Sequence, residues 1–277
     1  MKHPHASPAA LFLPLFVIYL CYTACLRADD ALFIGNSYTF GGPEMVITDH
    51  GGVPKLVEAI AASKGRKIST LMLTASGKDL GYHLAQPKTG EDIKAKKWDW
   101  VVLQDFSTEA THVGGKLDDF FKNGETLYKL IMANSPNTKV VLYETWARPK
   151  GSEFYSGTST PKTFTDVPEM FSELQKNYAE LYRRLEAIDP GTQVELAPVG
   201  LAFERSLEKY PEINLSNSDL HHASVEGNYL TALVIYATIY QDSPKGATRE
   251  FFGTSLDAGV AAKLQEIADE VAGPKAK

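Results

Sequence analysis

Cysteine is nearly absent from this chain of 277 residues, and its two copies, Cys21 and Cys25, both lie close to the amino terminus. If that terminal segment is removed, no thiol remains unless Cys25 is retained. The rest of the chain then has no thiol nucleophile, no zinc–thiolate site and no disulfide framework. It is still about 250 residues long, which is enough for one sizeable hydrophobic core without cross-links.

A concentration of positive charge is also lacking. The chain has 28 Lys and Arg against 34 Asp and Glu, a formal net charge of −6, and no Lys/Arg-rich cluster. Proteins that bind nucleic acid use such clusters to neutralise phosphates, so nucleic acid is not an expected partner. An acidic balance of this kind is typical of a soluble domain.

The first 28 residues have the pattern of an export signal. Lys2 provides a short basic region, Ala9–Cys25 is uncharged and apolar, and small residues continue to Ala28. The apolar stretch is interrupted by Pro14 and is shorter than the ~20 residues that a membrane-spanning helix needs. We therefore expect a signal peptide at residues 1–28 and a secreted or periplasmic protein without stable membrane insertion. The alternative is an uncleaved membrane tether.

Short apolar runs alternate with amphipathic stretches from residue 29 onward, without an internal repeat or a domain boundary. The predicted strands are Ala31–Ile34, Ile68–Leu73, Trp100–Leu103, Lys139–Tyr143 and Val194–Ala197. The predicted helices are Val53–Ser63, Leu117–Met132, Pro168–Ile188, Val225–Tyr240 and Leu256–Val271. This alternation predicts one α/β domain over residues 29–277, with a mainly parallel five-stranded sheet covered by helices on both faces.

Several residues follow these strands directly. Ser37, Gly77, Gln104 and Trp146 each come just after a predicted strand. Ligands of parallel sheets bind at the carboxyl ends of the strands, so these residues mark a candidate site. The long segment Arg148–Thr165 is rich in Gly, Ser, Thr and Pro and has little periodicity, so we expect it at the rim of that site.

Ser37, Asp219 and His222 are the residue types of an activated nucleophile. A serine hydroxyl needs a base to take its proton, and the base needs an anion to orient it. An acid three residues before a histidine can hold the ring so that its outer nitrogen stays free. The alternatives are that Ser37 is only a turn former or helix cap, and that Asp219 only caps a turn. His221 also competes with His222 for the role of base.

Five short blocks then occur in an order that is typical of one family. They are Gly35–Thr39, Trp98–Gln104, Thr145–Ala147, Ala197–Gly200 and Asp219–His222. Together they resemble the SGNH/GDSL hydrolase superfamily over nearly the whole chain after its leader. The Gly-x-Ser-x-Gly elbow of the α/β-hydrolases, by contrast, is not matched.

The resemblance implies a flavodoxin-like three-layer α/β/α sandwich that hydrolyses esters or acetyl groups without a metal or other cofactor. It implies Ser37 as nucleophile, His222 as base and Asp219 as the residue that orients the base. The oxyanion donors would be the backbone N–H groups of Ser37 and Gly77 and the side-chain amide of Gln104, where the superfamily usually has an asparagine. Alternatively, Gly77 only supplies a left-handed turn and Gln104 only positions the loop.

Three further residues have two interpretations each. Trp146 offers a flat apolar face for a sugar ring or caps the core. Arg148 holds an anionic substituent or is a solvated charge, and His83 lines the pocket or lies on the surface. Asp49-His50 and His221-His222 have no third metal ligand at a suitable spacing, so no metal site is predicted.

The favoured function is a secreted serine esterase that acts through an acyl-enzyme on Ser37. Its expected partner is a small-molecule or glycan ester, such as an O-acetyl group on a polysaccharide. One alternative is a catalytically inactive protein of the SGNH fold that binds carbohydrate or acts as a scaffold. Another is a metal-dependent phosphoesterase.

Overall fold

The computed structural model describes residues 27–113, 117–156, 163–191 and 194–274. Residues 1–26 of the predicted signal peptide therefore lie outside the described residues. In the part of the chain that is described, no helix is both long enough and apolar enough to cross a membrane.

A central sheet of five parallel strands organises the molecule, in the order β2-β1-β3-β4-β5. The strands are β1 (Asp29–Gly35), β2 (Ile68–Thr74), β3 (Trp100–Leu103), β4 (Lys139–Tyr143) and β5 (Val194–Ala197). The predicted five-stranded parallel sheet is confirmed. Because β1 pairs with β2 on one side and β3 on the other, the carboxyl end of β1 lies inside the sheet and not at its margin.

Successive side chains of the central strands enter two separate cores. Phe33 and Val102 belong to the hydrophobic cluster on one face of the sheet. Their neighbours Leu32 and Val101 belong to the cluster on the other face. Since both faces are buried, the strands are continuous apolar runs and do not alternate between polar and apolar residues.

Helices follow the strands and fill both outer layers. They are α1 (Ser37–Phe40), α2 (Met45–Thr48), α3 (Gly52–Ser63), α4 (Leu80–Leu84), α5 (Pro87–Ala95), α6 (Leu117–Asn134), α7 (Glu153–Ser156), α8 (Val167–Ile188), α9 (Val199–Lys209), α10 (Val225–Tyr240) and α11 (Ala258–Ala272). A short hairpin of β6 (Glu250–Phe251) and β7 (Thr254–Ser255) is separate from the central sheet. The five predicted helices are present, each within about two residues of its expected ends.

The two outer layers are distinct. Apolar residues of α3, α9, α10 and α11 pack in the cluster that contains Phe33. Those of α4, α5, α6 and α8 pack in the cluster that contains Leu32. The predicted three-layer α/β/α sandwich is therefore confirmed.

The predicted rim segment, Arg148–Thr165, is fastened to the body of the protein at its far end, where Phe164 is buried. His112 holds the same end, since its Nε2 lies 2.7 Å from the carbonyl oxygen of Thr163 and its Nδ1 lies 2.6 Å from a carboxylate oxygen of Glu173 on α8. With an acceptor at each ring nitrogen, the protonated imidazole fits this place best.

This pairing predicts a pH-dependent contribution to stability. The hydrogen bond to Glu173 raises the pKa of His112, and burial opposes it less strongly. A raised folded-state pKa means that the stabilisation is complete below the unfolded value of about 6.5 and is lost as the pH rises through the folded value. We expect His112→Gln to lower the free energy of unfolding in urea at pH 6, and to lower it less at pH 9. Glu173→Gln should show the same pH dependence, whereas equal losses at both pH values would contradict this interpretation.

Candidate active site

Ser37 lies at the carboxyl end of β1, where the chain turns into the one-turn helix α1. The residue before it, Asn36, caps this helix, because its side-chain oxygen accepts a hydrogen bond of 3.2 Å from the backbone N–H of Tyr38. Ser37 thus takes the first position of the helix, directly above the sheet. Its side chain and backbone are 7% exposed, so only a small part of the residue reaches solvent.

The structure brings Ser37, His222 and Asp219 together. Nε2 of His222 lies 2.8 Å from Oγ of Ser37, and Nδ1 of the same ring lies 2.6 Å from Oδ2 of Asp219. The other carboxylate oxygen of Asp219 accepts backbone N–H groups of His221 and His222, each at 2.9 Å. The spacing of three residues therefore makes a closed turn in which the acid holds both the ring and the backbone of the histidine.

The electrostatics of this turn keep the acid ionised. Burial acts to raise the pKa of Asp219, but the hydrogen bonds from the His222 ring and from two backbone N–H groups outweigh it and lower the pKa below its ordinary value. A carboxylate that accepts at Nδ1 fixes the proton on that nitrogen. Nε2 is then free to accept the proton of the Ser37 hydroxyl.

His221 does not take the place of the base. Its ring stacks on that of His222, with 4.2 Å between the ring centroids. Burial, together with the nearby charge of Arg148, lowers the pKa of His221 to about 3, so its ring is neutral near pH 7. Of the two candidate bases, only His222 contacts Ser37.

The turn that contains the acid and the histidine is held by its own backbone and by α10. An isolated bridge joins Ser216 to Ala223, and the N–H of Asn217 donates to the carbonyl of His222 at 2.7 Å. Ser224 caps α10 through a 3.1 Å hydrogen bond from the N–H of Gly227. Because α10 is buried on all sides from Gly227 to Ile239, this helix fixes the turn relative to the sheet.

Gln104 has a different place from the one predicted. It is 1% exposed, and its amide oxygen accepts from the backbone N–H of Asn36 and from the hydroxyl of Thr39, each at 2.9 Å. Its amide nitrogen donates to the side chain of Asn36 at 3.0 Å and to the carbonyl of Asp105. With both ends of the amide occupied, Gln104 braces the Ser37 turn, and the predicted oxyanion role does not fit this geometry.

Two backbone groups remain as oxyanion candidates. Among the residues that the structure describes, no acceptor takes the backbone N–H of Ser37. Gly77 has a φ of +66° in an exposed turn. That turn is joined to the segment that contains Ser37 by a 2.9 Å hydrogen bond from the Asn36 side chain to the carbonyl of Lys78. The glycine conformation satisfies the turn interpretation, and an oxyanion role for its N–H remains a proposal.

Trp146 belongs to the core, which corrects its predicted role in substrate binding. It is 1% exposed, and its ring lies between Tyr38 at 4.0 Å and Phe203 at 4.4 Å, nearly parallel to both. Both faces of the indole are therefore covered, and no sugar ring can stack on it. The alternative interpretation, in which the indole caps the core, agrees with the structure.

Arg148 and His83 are also buried. Arg148 is 5% exposed, so it is not the solvated charge that the sequence suggested as an alternative. His83 is 2% exposed, and its Nε2 lies 2.8 Å from the carbonyl oxygen of Gly35 at the end of β1. Burial lowers the pKa of His83, which keeps the ring neutral. His83 therefore supports the strand end from within the protein and does not lie on the surface.

A cavity of about 480 Å³ lies beside the acid–histidine turn. The early part of the rim segment forms one wall, and the turn forms the other. The lining residues are Arg148, Ser152, Glu153, Phe154, Asp219, Leu220 and His221. The early part of this segment thus shares a cavity with Asp219 and His221, and that it borders the site of Ser37 stays a prediction. Within the described residues, no group of three or more His, Cys, Asp or Glu side chains could hold a metal ion.

Sequence reasoning did not single out Gly42 and Tyr38. Gly42 has a φ of +61°, and a Cβ on it would lie 2.8 Å from three atoms of His222. The hydroxyl of Tyr38 donates to the carbonyl of His221 at 2.9 Å. Two adjacent glycines shortly after Ser37 were a signal of close backbone approach. Tyr38 gave no signal, because its contact partner is a backbone atom 183 positions away.

The sequence has no significant match to a protein-family model or to a curated protein. Solved structures, however, share its fold. A DUF4886 family protein from Bacteroides uniformis has a TM-score of 0.67 at 13% identity, over 88% of this chain and 94% of that one. A proposed SGNH hydrolase from Slackia heliotrinireducens has a TM-score of 0.53 at 21% identity, over 77% of this chain and 100% of that one.

A variant of an acetyl-xylooligosaccharide esterase from Geobacillus has a TM-score of 0.50 at 20% identity, over 78% of this chain and 96% of that one. At such identities the similarity concerns the fold. The shared architecture extends over most of this chain and nearly all of each neighbour.

The contact between Gly42 and His222 predicts that Gly42→Ala displaces the imidazole. Since a ring shift of about 1 Å can cost about 10²-fold in rate, we expect Ser37 to react with a fluorophosphonate about 10²-fold more slowly. Gly65→Ala is the matched control, because Gly65 has a similar φ of +73° but open space where a Cβ would go. Equal labelling rates in the two variants, measured by intact-protein mass spectrometry, would show that Gly42 does not constrain the ring.

Proposed function

We propose that this chain, which has the fold of the SGNH/GDSL hydrolases, is a serine esterase that forms an acyl-enzyme on Ser37. The single observation that supports this most directly is the continuous chain of hydrogen bonds from Asp219 through His222 to Ser37, at 2.6 and 2.8 Å. A serine that only caps a helix has no need of an imidazole held by a carboxylate. Activity, substrate and secretion all belong to this proposal.

In the first step Nε2 of His222 takes the hydroxyl proton as Oγ of Ser37 attacks the ester carbonyl. The imidazolium that forms is stabilised by the carboxylate of Asp219, which stays ionised because its pKa is lowered. The backbone N–H of Ser37 donates to the carbonyl oxygen as it becomes negatively charged, together with the N–H of Gly77 if the ligand reaches it. Such donors are each worth about 10²–10³ in rate.

The tetrahedral intermediate collapses when the leaving alcohol receives the proton from His222. The products are the free alcohol and an ester between the acyl group and Ser37. Water then enters, and His222 removes one of its protons as the water oxygen attacks the acyl-enzyme. Collapse of the second intermediate returns the proton to Oγ of Ser37 and releases the carboxylic acid.

A short acyl group, such as an O-acetyl on a glycan, is the proposed substrate. The Geobacillus fold neighbour is a variant of an acetyl-xylooligosaccharide esterase, which supports acetylated carbohydrate as a class to test. The predicted export of the protein would also bring it into contact with polysaccharides. The burial of Trp146 removes the indole as a sugar platform, so the sugar would have to contact other residues.

Replacement of the nucleophile tests the mechanism. Ser37→Ala should lower kcat/KM for a short-chain aryl ester by about 10⁴-fold or more, because the attacking atom is absent. Asp219→Asn should cost about 10³-fold or more, since an amide neither fixes the tautomer nor stabilises the imidazolium. Ser218→Ala is the matched control, because this exposed serine on the same turn donates its hydroxyl to the side chain of Asn217 and, among the described residues, to no group of the site.

The fold of each variant is checked by its thermal midpoint. A fluorophosphonate should label the wild-type protein and Ser218→Ala but not Ser37→Ala. Wild-type turnover in Ser37→Ala would rule out the mechanism. A wild-type protein that neither turns over esters nor takes the label would be an inactive binding protein, and activity that a chelator abolishes would indicate a metal phosphoesterase.

Substrate class is tested separately with purified protein. We expect release of acetate from acetylated xylooligosaccharides with kcat/KM above that for an aryl decanoate, and no change on addition of EDTA. Acetate is measured by a coupled assay and the longer acid by chromatography. A preference for the decanoate would replace the glycan proposal with a lipase and leave the acyl-enzyme mechanism in place.

A further inference from the structure

We propose that Arg148 is a positioning residue for the reaction, which holds the peptide between His221 and His222 both directly and through the hydroxyl of Tyr38. This inference rests on the proposed function only for its kinetic test. Its structural content is that a buried guanidinium keeps the His222 ring aligned with Ser37.

The guanidinium of Arg148 is buried without a carboxylate partner among the described residues. Its Nη1 donates to the hydroxyl of Tyr38 and, at 3.3 Å, to the carbonyl of His221. Its Nη2 donates to the hydroxyl of Ser107 at 2.8 Å. All of these acceptors are neutral. Burial of a charge without a counter-ion costs free energy, so the arrangement calls for a function beyond stability.

Both ends of Arg148 are fixed. Its guanidinium carbon lies 5.3 Å from the ring centroid of Phe154, which is within range of a cation–π contact. Its backbone carbonyl accepts from the hydroxyl of Tyr155 at 2.8 Å, and its N–H points to the sulfur of Met170 at 3.4 Å. The rim segment and α8 therefore hold the guanidinium of Arg148 in one position.

Three donors converge on one backbone atom, the carbonyl oxygen of His221. They are the hydroxyl of Tyr38 at 2.9 Å, Nη1 of Arg148 at 3.3 Å and Nε1 of Trp146 at 3.4 Å. Because Tyr38 accepts from the guanidinium while it donates to this carbonyl, the charge polarises its hydroxyl and strengthens the second bond.

The position of that carbonyl decides the position of the base. The carbonyl of His221 and the N–H of His222 belong to one planar peptide unit, so holding the first fixes the second. The N–H of His222 donates to Oδ1 of Asp219, whose other oxygen holds the ring. The three donors therefore orient the acid–histidine turn through the peptide between His221 and His222.

Kinetics of Arg148 variants provide the first test. We expect Arg148→Met to lower kcat about 10²-fold with KM changed less than about threefold, because misalignment of the base affects the chemical step more than binding. Arg148→Lys should recover part of the loss, since its ammonium keeps the charge and N–H donors at one nitrogen in place of the guanidinium fork.

Arg184→Met is the matched control. Arg184 also lies over an aromatic ring, that of Phe121 at 4.0 Å, and it forms salt bridges only on the surface.

A second variant keeps the test valid if Arg148→Met does not fold. Tyr38→Phe removes only the hydroxyl and leaves the ring stacked on Trp146, so we expect about a 10-fold loss in kcat. The effects of Tyr38→Phe and Arg148→Lys should be non-additive when combined, because both act through the carbonyl of His221. Additive losses, or unchanged kcat in both single variants, would overturn the inference.

A spectroscopic reading separates this inference from the proposed function. The proton between Nδ1 of His222 and Asp219 gives a downfield NMR resonance whether or not the protein is a catalyst. It should be present in the wild type and in Arg184→Met, and weakened by exchange in Tyr38→Phe and Arg148→Lys. An inactive wild type with this pattern would defeat the esterase proposal and keep the positioning role. An active wild type whose resonance and kcat are unchanged by both substitutions would keep the esterase proposal and overturn the positioning role of Arg148.

Discussion

The hydrogen bond between the hydroxyl of Ser37 and Nε2 of His222 joins residues that are 185 positions apart in the chain. It can exist only if the end of β1 and the turn before α10 are both held within a fraction of an ångström. A flexible loop would lose this alignment, since ordering two separate segments costs conformational entropy. The buried hydrogen bonds near the site offset this entropy cost. They order both segments when the protein folds, before a ligand binds.

The segment that contains Ser37 is held in place by the side-chain amide of Gln104. Gln104 follows β3 and bonds the backbone of Asn36 and the hydroxyl of Thr39, which lie on either side of Ser37. Gly35 cannot be larger, because a Cβ there would lie 2.6 Å from the amide oxygen of Gln104. The side chain of Gln104 thus reaches under the turn at Ser37 and forms hydrogen bonds with both neighbours of that serine segment, Asn36 and Thr39. Stabilisation of an oxyanion would then depend on backbone N–H groups.

The sequence was sufficient for the parts of the fold that depend on local pattern. The strands were recognisable because Val101, Val102 and their neighbours are apolar on both faces. Asp219 and His222 could be paired because their contact is local. The helix α9 does not follow from the local pattern, because its start, Val199-Gly200, comes directly after a proline and coincides with one of the family blocks. The sequence allowed two roles each for Trp146 and Gln104 and could not decide between them, since the direction in which a side chain leaves the end of a strand depends on distant partners such as Phe203 and Asn36.

The imidazole rings of His221 and His222 are stacked, and nearby groups keep both from being charged at the same time. A positive charge on either ring disfavours one on the other at a centroid separation of 4.2 Å. Burial and the charge of Arg148 lower the pKa of His221 to about 3, so this ring stays neutral over the working range of pH. Asp219 instead lies against the ring of His222, with its carboxylate 2.6 Å from Nδ1. In the proposed mechanism His222 is then the ring that receives the proton of Ser37, because the same guanidinium that holds the turn also keeps the neighbouring histidine uncharged.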